Sequence, residues 1–199
     1  SEALRDRIIA IQVPYNLKVS EESKIYQKML AKSTLQKVHV APLALSIVST
    51  FAILSRLEKP SITGMSLIDK MRLYDDRIVP KFTKQDVVEM QRHNPGEGMK
   101  GISPRYVMNR LAAVAGDEAA SCITPLAALN SMWEGLSENV SLDGQDLLEH
   151  IGFVADSVKE YNAMAIHQLQ MAYQESFEQS AEMSLTSYLD GLGAYIDAS

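Results

Sequence analysis

Ile8-Ile9-Ala10-Ile11-Gln12-Val13-Pro14 is the stretch on which the architecture turns. It is short, rich in β-branched side chains and closed by a proline, the pattern of a single β-strand. No second convincing run of that kind occurs in the 199 residues. A strand without a ladder partner is not stable by itself. Its sheet is therefore expected outside this sequence, and the chain is expected to begin inside a domain. Beyond Pro14 almost everything reads as helix, so the expected fold class is all-α with one orphan N-terminal strand.

Working outward, Ser20 is placed to cap a helix from about Glu21 to Ala31, with Glu21 and Glu22 in the first turn, where the helix dipole favours negative charge. Pro42 is placed as a first-turn proline for a helix from Ala41 to about Arg56, ended by Lys59-Pro60. A third helix is expected from about Met65 to Tyr74. Thr83 and Asp86 form a capping-box-like start for a fourth, running to about His93. Ser103-Pro104 opens another that Gly116 stops, and Thr124-Pro125 repeats the start signal for a helix to about Leu136. In the last third, Leu147, Ile151, Val154, Val158, Tyr161 and Ala165 alternate steps of four and three, a sustained helix seam. Tyr173, Phe177, Ala181, Leu185, Tyr188, Leu192 and Ile196 continue it, with a break expected between Glu175 and Ser180. Three regions follow: 1–19 as the tail of an upstream core, 20–120 as a domain of shorter helices, and 121–199 as a long-helix bundle.

The balance of 25 acidic against 19 basic side chains, net −6, argues against a nucleic-acid or anionic-membrane partner, which needs a cationic face. Cys122 is the single cysteine, so an intrachain disulfide and a thiolate cluster are both excluded, and a reducing cytoplasm is expected. The longest mostly apolar stretch, Val38 to Leu57, is interrupted by Pro42, Ser46, Ser49, Thr50, Ser55 and Arg56 and reads as a buried helix of a soluble protein. His39, His93, His150 and His167 lie far apart, so no metal site is expected. Asp75-Asp76 could hold a metal, although an adjacent acidic pair more often faces solvent.

Gly96-Glu97-Gly98-Met99-Lys100-Gly101 matches G-x-G-x-x-G, but a helix and Asn94-Pro95 precede it where a dinucleotide fingerprint requires a strand. It reads instead as a flexible interhelical loop. No G-x-x-x-x-G-K-[ST], H-R-D or D-F-G motif occurs. Phosphoryl transfer needs a phosphate cradle and a metal-holding carboxylate, and neither is recognisable in the sequence.

Two places carry a different signal. Glu2-Ala3-Leu4-Arg5-Asp6-Arg7 runs straight into the strand and Val13-Pro14, and Gly101-Ile102-Ser103-Pro104-Arg105 opens a helix. Both resemble AAA+ ATPases. In that class an arginine before the last core strand reaches the neighbouring subunit's nucleotide, and an arginine in the first turn of the lid's sensor-2 helix contacts nucleotide bound in its own subunit. A guanidinium suits both tasks because it stays charged and offers a planar fork to phosphate oxygens. The wording goes further. Val13-Pro14-Tyr15-Asn16-Leu17, Ser20-Glu21-Glu22, Ile25-Tyr26, His39-Val40-Ala41-Pro42, Leu54-Ser55-Arg56-Leu57, Gly98 through Tyr106, Ile123-Thr124-Pro125 and Glu160-Tyr161 resemble the PrkA-type serine protein kinase family.

That resemblance implies a longer protein, with an AAA+ core and phosphate-binding loop upstream and a kinase region downstream. The present chain would be the nucleotide-responsive lid, residues 20–120, and a helical coupling region, inert alone because both catalytic ends are missing. Arg7 is then the leading arginine-finger candidate, Arg5 its rival, and Arg105 the sensor-2 candidate. ATP and Mg are implied for the full-length parent, with none expected on this fragment. The implied partners are other subunits of an AAA+ oligomer and a protein substrate. The alternative is a free-standing helical interaction module that uses the apolar seam from Leu147 onward, although a self-contained module has no reason to carry the orphan strand.

Overall fold

Ala44–Leu54 is apolar on nearly every side, and a helix of that kind is stable only when surrounded by protein. In the computed structural model, which describes residues 11–117, 121–138 and 144–197, it is the centre of the fold. Ile47, Val48, Phe51, Ala52, Ile53 and Leu54 are wholly buried. The described residues form seven α-helices: α1 Val19–Ala31, α2 Ala44–Leu54, α3 Leu67–Tyr74, α4 Lys84–His93, α5 Pro104–Ala115, α6 Pro125–Ser137 and α7 Gly144–Asp197. Helices α1, α3, α5 and α6 all pack on α2. Each fully buried large apolar side chain in this core contributes about 1.5–3 kcal/mol.

The starts of these helices follow the sequence signals in three cases, and a fourth, α3, has a cap that the sequence reading did not name. Ser66 and Asp69 form a reciprocal capping box on α3, and Thr83 with Asp86 forms the expected one on α4. Ser103 accepts from Tyr106 N–H and Thr124 from Ala127 N–H, each with proline at the first helical position of α5 and α6. Gly116 ends α5 as expected.

Two starts differ. Ser20 is not the cap of α1, which begins at Val19 with Lys18 as a cap whose side chain makes no capping bond. The Ser20 N–H is instead satisfied at 2.8 Å by the carboxylate of Asp75, beyond the end of α3. Pro42 lies outside α2. Ala41 N–H donates to Ile123 O and Ile123 N–H to His39 O, so residues 39–41 run as an isolated parallel bridge with the segment before α6. The chain then turns through Leu43 at φ 66° before the helix begins. A short 3-10 turn at Thr34–Lys37, opened by Ser33, had no clear signature in the sequence.

Of the expected strand, residues 8–10 lie outside the described residues. Ile11 to Val13 are described, form no ladder, and leave Ile11 and Val13 about 80% and 79% exposed. The all-α class holds, and among the described residues Ile11 to Val13 form no strand, in keeping with the lack of a ladder partner.

The chain divides into two compact units, residues 1–158 and 159–199, with the boundary inside α7. In the first unit the opening turns of α7 bury Phe153, and the Ser157 hydroxyl donates to Phe153 O. The second unit is helical, and the break expected between Glu175 and Ser180 is absent. With few glycines and no proline there, nothing in the backbone interrupts the helix. Leu169, Tyr173, Phe177 and Tyr188 on it are largely exposed.

Candidate functional site

The glycine-rich loop between α4 and α5 is not the flexible connector that its composition suggests. Gly98 and Gly101 adopt φ of 78° and 104°, conformations that L side chains rarely take. Tyr15 N–H donates to Gly98 O at 2.8 Å, and Gly98 N–H donates to Arg56 O at 3.2 Å. A Cβ on Gly101 would lie 2.5 Å from Ser55 O, and one on Gly98 would lie 2.8 Å from Tyr15 O. The glycines let the loop approach the protein's own backbone, where the motif's better-known use is to approach phosphates.

Arg56, at the end of α2, holds this arrangement. Its guanidinium is buried and donates through Nε and Nη2 to Ile102 O at 3.0 and 2.7 Å. It also donates through Nη1 to Asn16 O at 2.9 Å and through Nη2 to Glu22 Oε1 at 2.7 Å. The Tyr15 ring lies 4.9 Å from its Cζ, a cation–π contact. Tyr26 Oη donates to the same Glu22 oxygen at 2.7 Å. Burial, then the negative charge of Glu22, holds the Tyr26 phenol well above its ordinary range, so it remains a donor. Glu22 Oε2 is buried without a hydrogen bond, leaving this carboxylate dependent on the arginine and tyrosine that face its other oxygen.

A second cluster anchors the start of the loop. Lys70 on α3 is buried and pairs with Glu97 while donating to Glu58 O at 2.9 Å. Tyr74 Oη donates to the other Glu97 oxygen at 2.7 Å, and Glu58 N–H donates to Glu97 Oε1 at 2.9 Å. Desolvation, then the bond to Glu97, pushes the Tyr74 phenol upward. The two clusters fasten the loop at Glu97 and at Ile102.

Asp75 and Asp76 are spent on structure. Asp75 accepts from Ser20 N–H and from Arg77 Nε at 3.1 Å. Asp76, at φ 60°, pairs with Lys18 at 2.5 Å and Lys84 at 3.7 Å. The Lys18 hydrogen bond holds the Asp76 carboxyl below its usual range. Beside this pair, a cleft of about 520 Å³ opens between the segment 15–18 and helices α3 and α4. Among the described residues no group of three or more His, Cys, Asp or Glu side chains is placed to hold a metal.

Of the arginines singled out in the sequence, Arg5 and Arg7 lie outside the described residues. Arg105 occupies the first turn of α5 and is exposed, while Val107 and Leu111 supply that helix's buried face. Arg105 makes no hydrogen bond or ion pair among the described residues. Its neighbour Tyr106 donates to Met132 O at 2.8 Å, and Arg110 donates through Nε to Ser131 O at 2.7 Å, fixing α5 on α6.

Sequence reasoning missed Glu22, Arg56, Lys70 and Glu97. A signal was present for the first. Val19, Glu22, Tyr26 and Leu30 form the buried stripe of α1 at steps of three, four and four, and an acid on that stripe requires a buried partner. Arg56 follows directly after the most apolar helix of the chain, where a charge has no solvent-facing reason to sit.

Among the described residues, then, helices pack around the apolar α2, and Arg105 in the first turn of α5 makes no hydrogen bond or ion pair. Two family models match the chain: the PrkA AAA domain over residues 1–63 and the PrkA serine protein kinase C-terminal domain over residues 68–199. The chain belongs to the PrkA family.

Among curated relatives, it is 41% identical over 195 residues to the ATP-dependent protease PrkA of Bacillus subtilis (strain 168), covering 98% of this chain and 31% of that protein. It is 29% identical over 194 residues to the serine/threonine kinase YeaG of Escherichia coli (strain K12), covering 95% of this chain and 30% of that protein. The chain thus spans about a third of the length of the curated relatives it matches. No solved structure matches it. No helix among the described residues is long and apolar enough to cross a membrane.

Proposed function

We propose that the chain is the nucleotide-responsive lid and helical coupling region of an AAA+ module in a cytoplasmic serine protein kinase of the PrkA family. The observation that carries this proposal is Arg105: exposed, unpaired among the described residues, and set three residues beyond a backbone carbonyl that a buried arginine holds. The residues fit ATP only in part. They offer one guanidinium for phosphate oxygens, and the sequence contains no phosphate-binding loop, so ATP and Mg would be held principally by the rest of the protein.

Nucleotide, when bound there, supplies the phosphate charge to which Arg105 responds. This chain's part is to hold Arg105 in register and to move as a unit when that contact forms. One charge-assisted hydrogen bond is worth about 1.5–3 kcal/mol, enough to shift a lid equilibrium roughly tenfold to a hundredfold without locking it. Arg7, with Arg5 as rival, is the arginine-finger candidate that would act on a neighbouring subunit's nucleotide. Other subunits and a protein substrate are thus the partners. The names of the relatives differ between kinase and protease, and a lid has the same task under either, since both names imply ATP use.

The test is Arg105→Ala in the full-length protein. Hydrolysis and nucleotide affinity should both fall, with thermal stability nearly unchanged because the side chain is outside the core. Wild-type values for both would rule out the sensor role. The second reading, a helical interaction module, draws on the exposed apolar side chains of the second unit. It requires an Arg105→Ala protein with intact ATP turnover and lost partner binding on truncation after Val158.

A further inference from the structure

Ile102 is pinned from both sides. Its N–H donates to Ser55 Oγ at 2.9 Å, and its C=O accepts from both Nε and Nη2 of Arg56. Ser103, Pro104 and Arg105 follow at once as the cap and first turn of α5, so the Ile102 peptide fixes where that helix begins. The same guanidinium donates to Asn16 O, in the segment that leads from Val13-Pro14 into α1. Glu22 and Tyr15 hold the guanidinium in place, through the carboxylate at 2.7 Å and the ring at 4.9 Å.

We infer that Arg56 is a positioning residue for Arg105. It fixes the start of α5 relative to the segment that enters from the AAA half, and so sets where the Arg105 guanidinium stands relative to nucleotide. The inference rests on the sensor role proposed for Arg105.

The chemistry explains why the position holds arginine. Three acceptors from three different elements converge on one buried side chain: Asn16 O before α1, Glu22 Oε1 in α1, and Ile102 O before α5. A planar fork of N–H groups serves divergent acceptors, whereas a lysine ammonium is a point donor at the end of a flexible stem. Arg56→Lys keeps the charge opposite Glu22 and gives up simultaneous reach to Asn16 O and Ile102 O. Ser55→Ala is a milder release of the same peptide, losing only the bond to Ile102 N–H.

A purely structural ion pair and a positioning residue differ in one respect. The structural pair weakens folding whether or not Arg105 is present, whereas the positioning residue affects nucleotide only through Arg105. The experiment is a double-mutant cycle in the full-length protein, reading affinity for a non-hydrolysable ATP analogue by calorimetry and the urea midpoint in parallel. Arg105→Ala should weaken the analogue roughly tenfold to a hundredfold, as expected for one lost charge-assisted contact. Arg56→Lys should weaken it by a fraction of that, about threefold to tenfold, and Ser55→Ala in the same direction. In the Arg105→Ala background neither should change it by more than about twofold.

The inference is overturned if Arg56→Lys and Ser55→Ala leave affinity intact, or weaken it equally in both backgrounds, whatever they do to the urea midpoint. If Arg56→Lys does not fold, the Ser55→Ala arm decides by the same criteria. An Arg105→Ala protein that binds the analogue normally would remove the sensor role itself, a separate result read from the single variant alone.

Discussion

Gly101→Ala perturbs the loop where it lies closest to the rest of the protein, and its cost can be built from geometry. Two contributions add. Holding alanine at φ 104° costs about 1–3 kcal/mol, as sparsely populated backbone conformations do. The new Cβ would also lie 2.5 Å from Ser55 O and 2.8 Å from both Ser55 C and Arg56 Cγ. Two of those atoms are backbone, so relief requires the loop to lift from α2. Overpacking of that kind costs about 1–3 kcal/mol more.

Gly64 separates the two contributions. It has φ 82° with nothing within 4 Å of its Cβ position, so Gly64→Ala carries the conformational cost alone, about 1–2 kcal/mol. Gly98, whose Cβ would meet Tyr15 O at 2.8 Å, should fall between them. Urea denaturation of this chain should therefore rank the alanine variants Gly64, Gly98, Gly101 in rising cost. The outer pair should differ by about 1–3 kcal/mol. Equal costs at Gly64 and Gly101 would refute the docked loop and restore a free connector.

Tyr26 and Tyr74 both have phenols raised by burial, so the folded state retains protons that the unfolded chain releases above about pH 10. Their stabilisation is complete below that pH and declines as pH rises through it. Tyr26→Phe should flatten the alkaline fall in urea midpoint, and an unchanged slope would contradict the raised phenol. Arg7→Ala in the full-length protein should bind ATP and hardly hydrolyse it, since an arginine supplied in trans is worth about 10³–10⁵ in rate in GTPases. Mixing it with a variant disabled in the phosphate-binding loop should recover part of the activity. Normal hydrolysis by Arg7→Ala alone would remove the role, and no recovery on mixing, with subunit exchange confirmed, would remove the trans arrangement.

The helices were legible because their signals are local. Thr83 with Asp86, Ser103-Pro104, Gly116 and Thr124-Pro125 each act within one turn of chain, and each stands where its chemistry requires. The misplacements occur where a distant residue takes over a local task. Ser20 yields because Asp75, 55 positions away, accepts its N–H. Pro42 yields because Ile123 engages residues 39–41 and leaves the helix to start after the turn. The expected break after Glu175 had no breaker residue behind it.

The site was legible in a different proportion. Arg105 is picked out by the resemblance of Gly101-Ile102-Ser103-Pro104-Arg105 to a sensor-2 helix start, and its N-cap and first-turn proline stand where such a start requires them. What holds it is invisible at that range. Arg56 donates to Ile102 O across 46 positions and to Glu22 across 34, and Lys70 meets Glu97 across 27. Removing one partner of such a buried pair costs about 3–5 kcal/mol, since the other charge is left desolvated.

That cost explains why the glycine-rich loop is rigid despite its composition. Its glycines do not loosen the chain; they remove the Cβ atoms that would keep it from reaching Ser55 and Tyr15. A loop fastened at Glu97 and Ile102 transmits displacement, whereas a free loop would absorb it. Under the proposed sensor role, an arginine at its end would act on the helical body through residues that these bonds hold.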